Sequence, residues 1–316
     1  MPVMSDTKIA PSDPRFSVII PVFNGARFIR EALDSLLNQS YAPVEIIVVD
    51  DGSTDNTAQI VRQFASRCPL SYHRQANQGP SAARNRGVAL AHGDWIAFLD
   101  ADDVWYPAKL ATHCDYIREY PDVVFFWSDM SYIDEHGRPR KPKQWRDPFA
   151  QIIFNRPVCP LPSSVVMRKD IFAQTLGFNT LLRCYEDLEF FFRVVTTFPS
   201  KILPRELLAY RCHDQQTHSS MRCVIESWPM VNESLSKACR ADPAKEAALN
   251  LRSASLYSAV GGHFLRSGNF EQARHWFRRS FDRRPFYWKN LRRWGLSYFP
   301  GARNIYRRAK RHAVRV

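Results

Sequence analysis

The rhythm of the first hundred residues limits this chain more than any other feature. Near-continuous apolar runs at Phe16–Ile20 (FSVII), Val44–Val49 (VEIIVV) and Asp94–Leu99 (DWIAFL), with a shorter strand at Leu70–His73, alternate with stretches of helical periodicity. Between Arg27 and Gln39 the apolar residues Phe28, Ile29, Ala32, Leu33, Leu36 and Leu37 repeat at helical spacing. Ile60, Val61 and Phe64 mark a second helix, and residues 80–91 a third that is rich in alanine. Strands apolar on both faces need cover on both faces. The expected fold class is therefore α/β, a mostly parallel sheet flanked by helices.

In such sheets ligands bind beyond the carboxyl ends of the strands. Three of those ends read PVFN, DDGSTD and DADD. A divalent ion held against a diphosphate needs hard oxygen ligands, and carboxylates at i and i+2 of a turn supply them. The chain carries a net +13, but residues 278–316 hold 13 Lys and Arg against one acid, Asp282, so the body is close to neutral. Such a body has little positive charge of its own for a diphosphate, and a metal would fill that role. Asp and Asn also cap helices and build turns, and that is the expected role of Asp55. Asp102 belongs to an acid triplet that directly follows the buried run WIAFL, where such a cluster needs water or a cation.

Beyond Trp105 the α/β rhythm loosens. Residues 107–119 and Leu188–Phe198 read as helices, and Val123–Ser128, Ser163–Met167 and Leu207–Tyr210 as strands. After residue 222 the pattern is wholly helical. Leu256–Pro285 reads as one tetratricopeptide-like helix hairpin, with Gly268-Asn269 as the turn and Ala273 at the close contact. The expected domains are a disordered N-terminus at 1–15, an α/β domain at 16–221, a helical region at 222–285 and a basic aromatic tail at 286–316. A hydrophobic content of 45% excludes a disordered chain. No run is long enough to span a bilayer, and residues 1–15 are too polar for a secretion signal, so a cytoplasmic location is expected. The seven cysteines are scattered without a CxxC pair, which points to reduced thiols rather than a disulfide framework or structural zinc.

FSVIIPVFNGARFIREALDSLLNQSYAPVEIIVVDDGSTDNT, followed by NQGPSAARNRGVALAHGDWIAFLDADD, resembles the nucleotide-sugar-binding half of a family 2 glycosyltransferase with the GT-A fold. The resemblance covers roughly residues 16–213. It implies an inverting enzyme that moves a sugar from a nucleoside diphosphate to a hydroxyl of a glycan or lipid-linked glycan. On that pattern Pro21, Phe23 and Asn24 lie beside the base and ribose, and Asp50, with Asp51 next to it, reads the base edge. Uracil is the family's commonest base, with thymine and guanine also open. Arg84 and Asn85 flank the diphosphate. Asp100 and Asp102 match the DxD motif, the first near the ribose and the second on the metal, and Asp103 is an extra acid.

YEDLEFFFR resembles the family's ED motif, making Asp187 the base that takes the acceptor proton and Glu186 its orienting partner. Both acids would also sit favourably at a helix N-terminus, and the two readings coexist. His213, in the segment after the last core strand, is a candidate for the metal or the diphosphate. The implied cofactor is Mn²⁺ or Mg²⁺, and imidazole ligation would favour Mn²⁺. A nucleotidyltransferase would carry a Gly-rich, Arg-containing loop after the first strand, whereas PVFNGARF has a single glycine. A non-catalytic scaffold would not need acids at every one of these positions.

The tail at 286–316 interleaves aromatics such as Tyr287, Trp288, Trp294 and Tyr298 with Lys289, Arg292 and Arg293. That mixture suits an anionic membrane surface, which a lipid-linked acceptor would make useful. Nucleic acid is the less favoured partner. The resulting expectation is a peripheral enzyme on the inner face of the membrane.

Overall fold

The computed structural model describes residues 13–141, 148–154, 159–214, 221–285, 294–295 and 297–298. Nearly all of the segment 1–15, the polar run Gln215, Gln216, His218 and Ser219, and most of the tail at 286–316 lie outside the described residues. Two compact units are formed. The first comprises Met1–Pro142, Pro160–Phe178 and Thr197–Asp214, and the second Lys143–Cys159, Asn179–Thr196 and Gln215–Val316.

Strands and helices alternate at first: β1 (Phe16–Val22), α1 (Ile29–Leu37), β2 (Glu45–Asp50), α2 (Thr57–Arg62), β3 (Leu70–Arg74), α3 (Pro80–Leu90) and β4 (Trp95–Phe98). There follow β5 (Val104–Trp105), α4 (Lys109–Glu119), β6 (Phe125–Ile133), α5 (Pro148–Phe154), β7 (Val165–Arg168), α6 (Lys169–Gln174), α7 (Glu186–Thr197) and β8 (Ser200–Arg211). Among the described residues only helices come after these: α8 (Met221–Glu226), α9 (Trp228–Cys239), α10 (Pro243–Ser267) and α11 (Phe270–Arg283). None of the described helices is long and apolar enough to cross a membrane.

The first unit is built on an eight-stranded sheet in the order β3-β2-β1-β4-β7-β6-β8-β5. The β3-β2-β1-β4 half is parallel. The other half is mixed: β7 runs antiparallel to both neighbours, β6 and β8 are parallel, and β5 is antiparallel to β8. The uninterrupted run of parallel neighbours thus ends where the βαβ rhythm of the sequence ends. Phe16, Val18, Ile20 and Val22 alternate onto one face of β1 and pack with Ile29, Ala32, Leu33 and Leu36 of α1. Each of the Phe, Val, Ile and Leu side chains contributes about 1.5–3 kcal/mol by leaving water. On β1's other side α3 comes so close that a Cβ on Gly87 would stand 2.3 Å from Ile19 Cγ2, a contact only glycine allows.

In the second unit α10 begins at Asp242, whose carboxylate accepts from the Ala244 and Lys245 amides, and Pro243 takes the first helical position. It ends at Gly268, in the left-handed conformation with φ +85°. Asn269 then caps α11 through the Gln272 amide. Ala273 is fully buried at the contact, as its place in the hairpin pattern suggested, with Leu265 and Phe277 beside it. The cysteines are not all the reduced thiols that their scattered spacing predicts. Cys184 and Cys223 form a disulfide with Cα atoms 5.6 Å apart, while Cys68, Cys114, Cys159, Cys212 and Cys239 remain thiols. The pair is separated by 39 residues, so the fold, and no local spacing, brings it together.

Candidate functional site

The strand order reverses between β1 and β4, the position at which open α/β sheets bind ligands. β1 runs two residues further than its apolar core suggested, and Pro21 is buried within it, in register with Val49. Phe23 follows as an exposed aromatic at 52% of its surface. Asn24 adopts a positive φ of 51°, a conformation Asn tolerates better than most residues. Its Oδ1 accepts from the Thr54 amide at 2.8 Å, and its own amide donates to Ser53 Oγ at 2.9 Å. Asp55 continues the lacing by accepting from the amides of Ala26 and Thr57. Burial alone would raise the Asp55 carboxyl, but the Thr57 hydroxyl and those amides hold it below its usual range. Asp55 therefore works as a turn and cap residue.

Asp50 and Asp51 also build the turn. Asp50 is fully buried; Oδ1 accepts from the Ser53 amide at 2.6 Å and Oδ2 from the Tyr72 hydroxyl at 2.5 Å. Burial and the Asp50 hydrogen bond push that hydroxyl up to about 12. Asp51 accepts from Gln75 Nε2 and the Gln78 amide on one oxygen and from the Gly79 amide on the other. Adjacent Gly52 has φ +87°. Both carboxylates are buried in this turn.

Two further residues are similarly committed. Arg84 is 5% exposed, donates from Nη2 to Asp100 Oδ1 at 2.8 Å and stacks over the Phe178 ring at 5.3 Å. Asn85 holds the backbone of Phe178 from both ends of its carboxamide, at 2.9 Å each. Arg84 reaches the site through Asp100, and Asn85 acts as a staple.

The turn after β4 carries the acids. The Asp100 amide donates to Ser163 Oγ at 3.0 Å, and the Asp103 amide closes the turn onto the Asp100 carbonyl. Asp102 Oδ2 lies 2.9 Å from His213 Nε2, bringing together two of the residues singled out as metal candidates. Burial and the nearby Asp100 raise the Asp102 carboxyl, with His213 opposing them. Asp103 is 1% exposed; it accepts from the Arg211 amide through Oδ1, while Oδ2 has no hydrogen-bond partner. Burial, then Asp102 and Asp100, push its carboxyl far above the usual carboxylate range. Among the described residues no three His, Cys, Asp or Glu side chains form a ready-made metal cluster. The donor set nevertheless fits a divalent cation: hard carboxylate oxygens, one imidazole, and two acids, Asp102 and Asp103, raised by burial and then by neighbouring charge, with one buried oxygen of Asp103 unsatisfied.

In the second unit, Glu186 and Asp187 open α7, both half-buried and in its first turn. Burial pushes the Tyr185 hydroxyl up to about 12 and also raises the Cys159 thiol, and in each case the Asp187 charge adds to it. Glu189, one turn on, is buried against Arg193 and Ser234, a packing role.

Arg211, Glu31, Ser163 and Tyr72 carry no sequence motif that marks a role. Arg211 stood inside YRCH beside His213, which was its only signal. The other three lie in ordinary strand or helix patterns and gain their roles through partners far along the chain.

Residues 17–176, about half of the chain, match the family model described as Glycosyl transferase family 2. The glycosyltransferase alr2836 of Nostoc sp. is 32% identical over 218 residues, covering 65% of this chain and 67% of that protein. A glycosyltransferase of Rickettsia bellii is 36% identical over 126 residues, 40% of this chain, and the chain spans only 18% of that longer protein. The crystal structure of S. aureus TarS 1-349 in complex with UDP-GlcNAc is similar in fold, with a TM-score of 0.69 at 20% identity over 93% of this chain and 92% of that one. With the family match and the mixed sheet in agreement, this chain belongs to glycosyltransferase family 2 and is a glycosyltransferase of the GT-A fold.

Proposed function

We propose that this enzyme transfers a hexose-type sugar from a nucleoside diphosphate, UDP first among the candidates, to a hydroxyl of a glycan or lipid-linked glycan, with inversion by single displacement. The observation that carries the reading is the acid turn Asp100–Asp103 at the switch point, with His213 on Asp102. The TarS fold holds a UDP-sugar, which supports the same donor class here.

Phe23 and Asn24, exposed at the end of β1, border the nucleoside. Asp102 and His213 would hold Mn²⁺ or Mg²⁺, and that ion supplies the positive charge a departing diphosphate needs. Asp100 faces the donor with its orientation set by Arg84 and Ser163. Asp187 takes the proton of the acceptor hydroxyl as the new bond forms, and Glu186 orients it. A carboxylate suffices, because the hydroxyl becomes acidic only as its oxygen attacks. The tail at 286–316 holds the enzyme on an anionic membrane surface.

Donor binding and transfer by two variants test the reading. Asp187→Asn should keep metal-dependent UDP binding while losing about 10²–10⁴ in turnover. Asp102→Asn should lose both. Wild-type turnover by Asp187→Asn refutes the base, and pyrophosphate in place of UDP as product refutes the reaction class.

A further inference from the structure

The last residue of β8 is placed unlike an ordinary strand-end arginine. The Arg211 side chain is fully buried, and its donors fan out to separate segments of the first unit. Nε donates to the Asp102 carbonyl at 2.8 Å. Nη1 donates to the Asp134 carbonyl at 3.3 Å, and Nη2 to Glu31 Oε2 of α1 at 2.6 Å. The guanidinium also lies over the Phe28 ring at 4.9 Å, and the same ring stacks with His213 at 5.0 Å. Two residues of one strand end thus hold Asp102 from both sides: Arg211 on its backbone carbonyl, His213 on its carboxylate.

We propose that Arg211 is a positioning residue that fixes the orientation of the Asp102 carboxylate toward a divalent cation, with Glu31 as the counter-charge that keeps Arg211 in place. The inference rests on the metal reading of the acid turn. A planar guanidinium offers five donors in a rigid fork and reaches three segments at once, which a lysine ammonium cannot do. Releasing Nε from the Asp102 carbonyl would let that peptide turn, and the carboxylate would turn with it. Groups that orient metal ligands in this way change metal affinity by roughly 10–100-fold when removed.

The test is direct titration of the full-length protein with Mn²⁺ in the presence of UDP, reading the unbound ion by electron paramagnetic resonance. Glu31→Ala is the main variant, because the Glu31 side chain is 56% exposed and alanine suits a helix. It should weaken Mn²⁺ binding roughly tenfold while the melting temperature stays within a few degrees. Arg211→Lys keeps the buried charge but not the fork, and should weaken binding at least as much. Were Arg211 needed only as a buried cation, lysine would restore binding. Wild-type Mn²⁺ affinity in Glu31→Ala, with Asp102→Asn unable to bind the ion, overturns the positioning role alone. Wild-type affinity in Asp102→Asn overturns the metal reading beneath it. If Arg211→Lys does not fold, Glu31→Ala decides.

Discussion

Arg84 Nη2 lies 2.8 Å from Asp100 Oδ1, and this pair joins the first turns of α3 to the acid loop after β4. The Arg84 side chain is 6% exposed and that of Asp100 26%, so water screens the pair only partly. A double-mutant cycle of Arg84→Met and Asp100→Asn, followed by urea denaturation, should give a coupling energy of about 1–3 kcal/mol. Additive effects within about 0.5 kcal/mol would mean that the two residues act independently.

Lys109 should reveal itself through pH. It is fully buried, with Nζ 3.1 Å from the Ser164 carbonyl and 5.0 Å from the Trp105 ring centre. Burial pushes its ammonium down to about 7. The other titratable group beside it, His113, is held neutral by burial and by the Lys109 charge. With the folded value depressed, the unfolded chain binds the proton more tightly. The penalty is therefore complete below pH 7 and fades as pH rises toward about 10. Lys109→Met should be more stable than the wild type by about 3 kcal/mol near pH 6, with the gap closing by pH 10. A gap independent of pH would show that the ammonium is not the cause.

The Cys184–Cys223 bond closes a loop with a sequence separation of 39 residues, just before the acids of α7. In the chain-entropy account such a closure contributes up to about 4 kcal/mol. Dithiothreitol should lower the thermal midpoint of the wild-type protein, whereas the Cys184→Ser/Cys223→Ser double variant should melt lower and ignore the reductant. Equal midpoints with and without reductant would show that the bond does not form in solution.

Removal of residues 286–316 should abolish sedimentation with anionic vesicles and leave sugar transfer to a soluble acceptor unchanged. Each cation near such a surface is worth about 1 kcal/mol, so binding should also fall steeply with salt. Retention on vesicles by the shortened chain would place the membrane contact elsewhere.

Much of the parallel half was readable because burial on both faces leaves a continuous apolar signature, as in FSVII and VEIIVV. The acid turn stood out because three carboxylates crowd into the four residues after a buried strand. Asp50 and Asp51 show where reading stops. In sequence they look like two equal candidates for a ligand, and only the arrival of Tyr72 from β3 and of the Gln78–Gly79 backbone shows them to be internal. The partners of Arg84 and Asn85 were hidden for a related reason. Asp100 and the backbone of Phe178 lie 16 and 93 residues away. The antiparallel strands left a weaker trace, since β5 has two residues and β8 interrupts its apolar run with Pro204, Arg205 and Glu206.

The most direct test of the account is calorimetric titration of UDP into wild-type and Asp102→Asn protein, with and without Mn²⁺. Mn²⁺ should tighten UDP binding to the wild type by at least tenfold, as expected for an ion shared between the acid turn and the diphosphate, and the variant should lose this gain. Equal UDP affinity with and without Mn²⁺ in the wild type, or the full gain in Asp102→Asn, would contradict it.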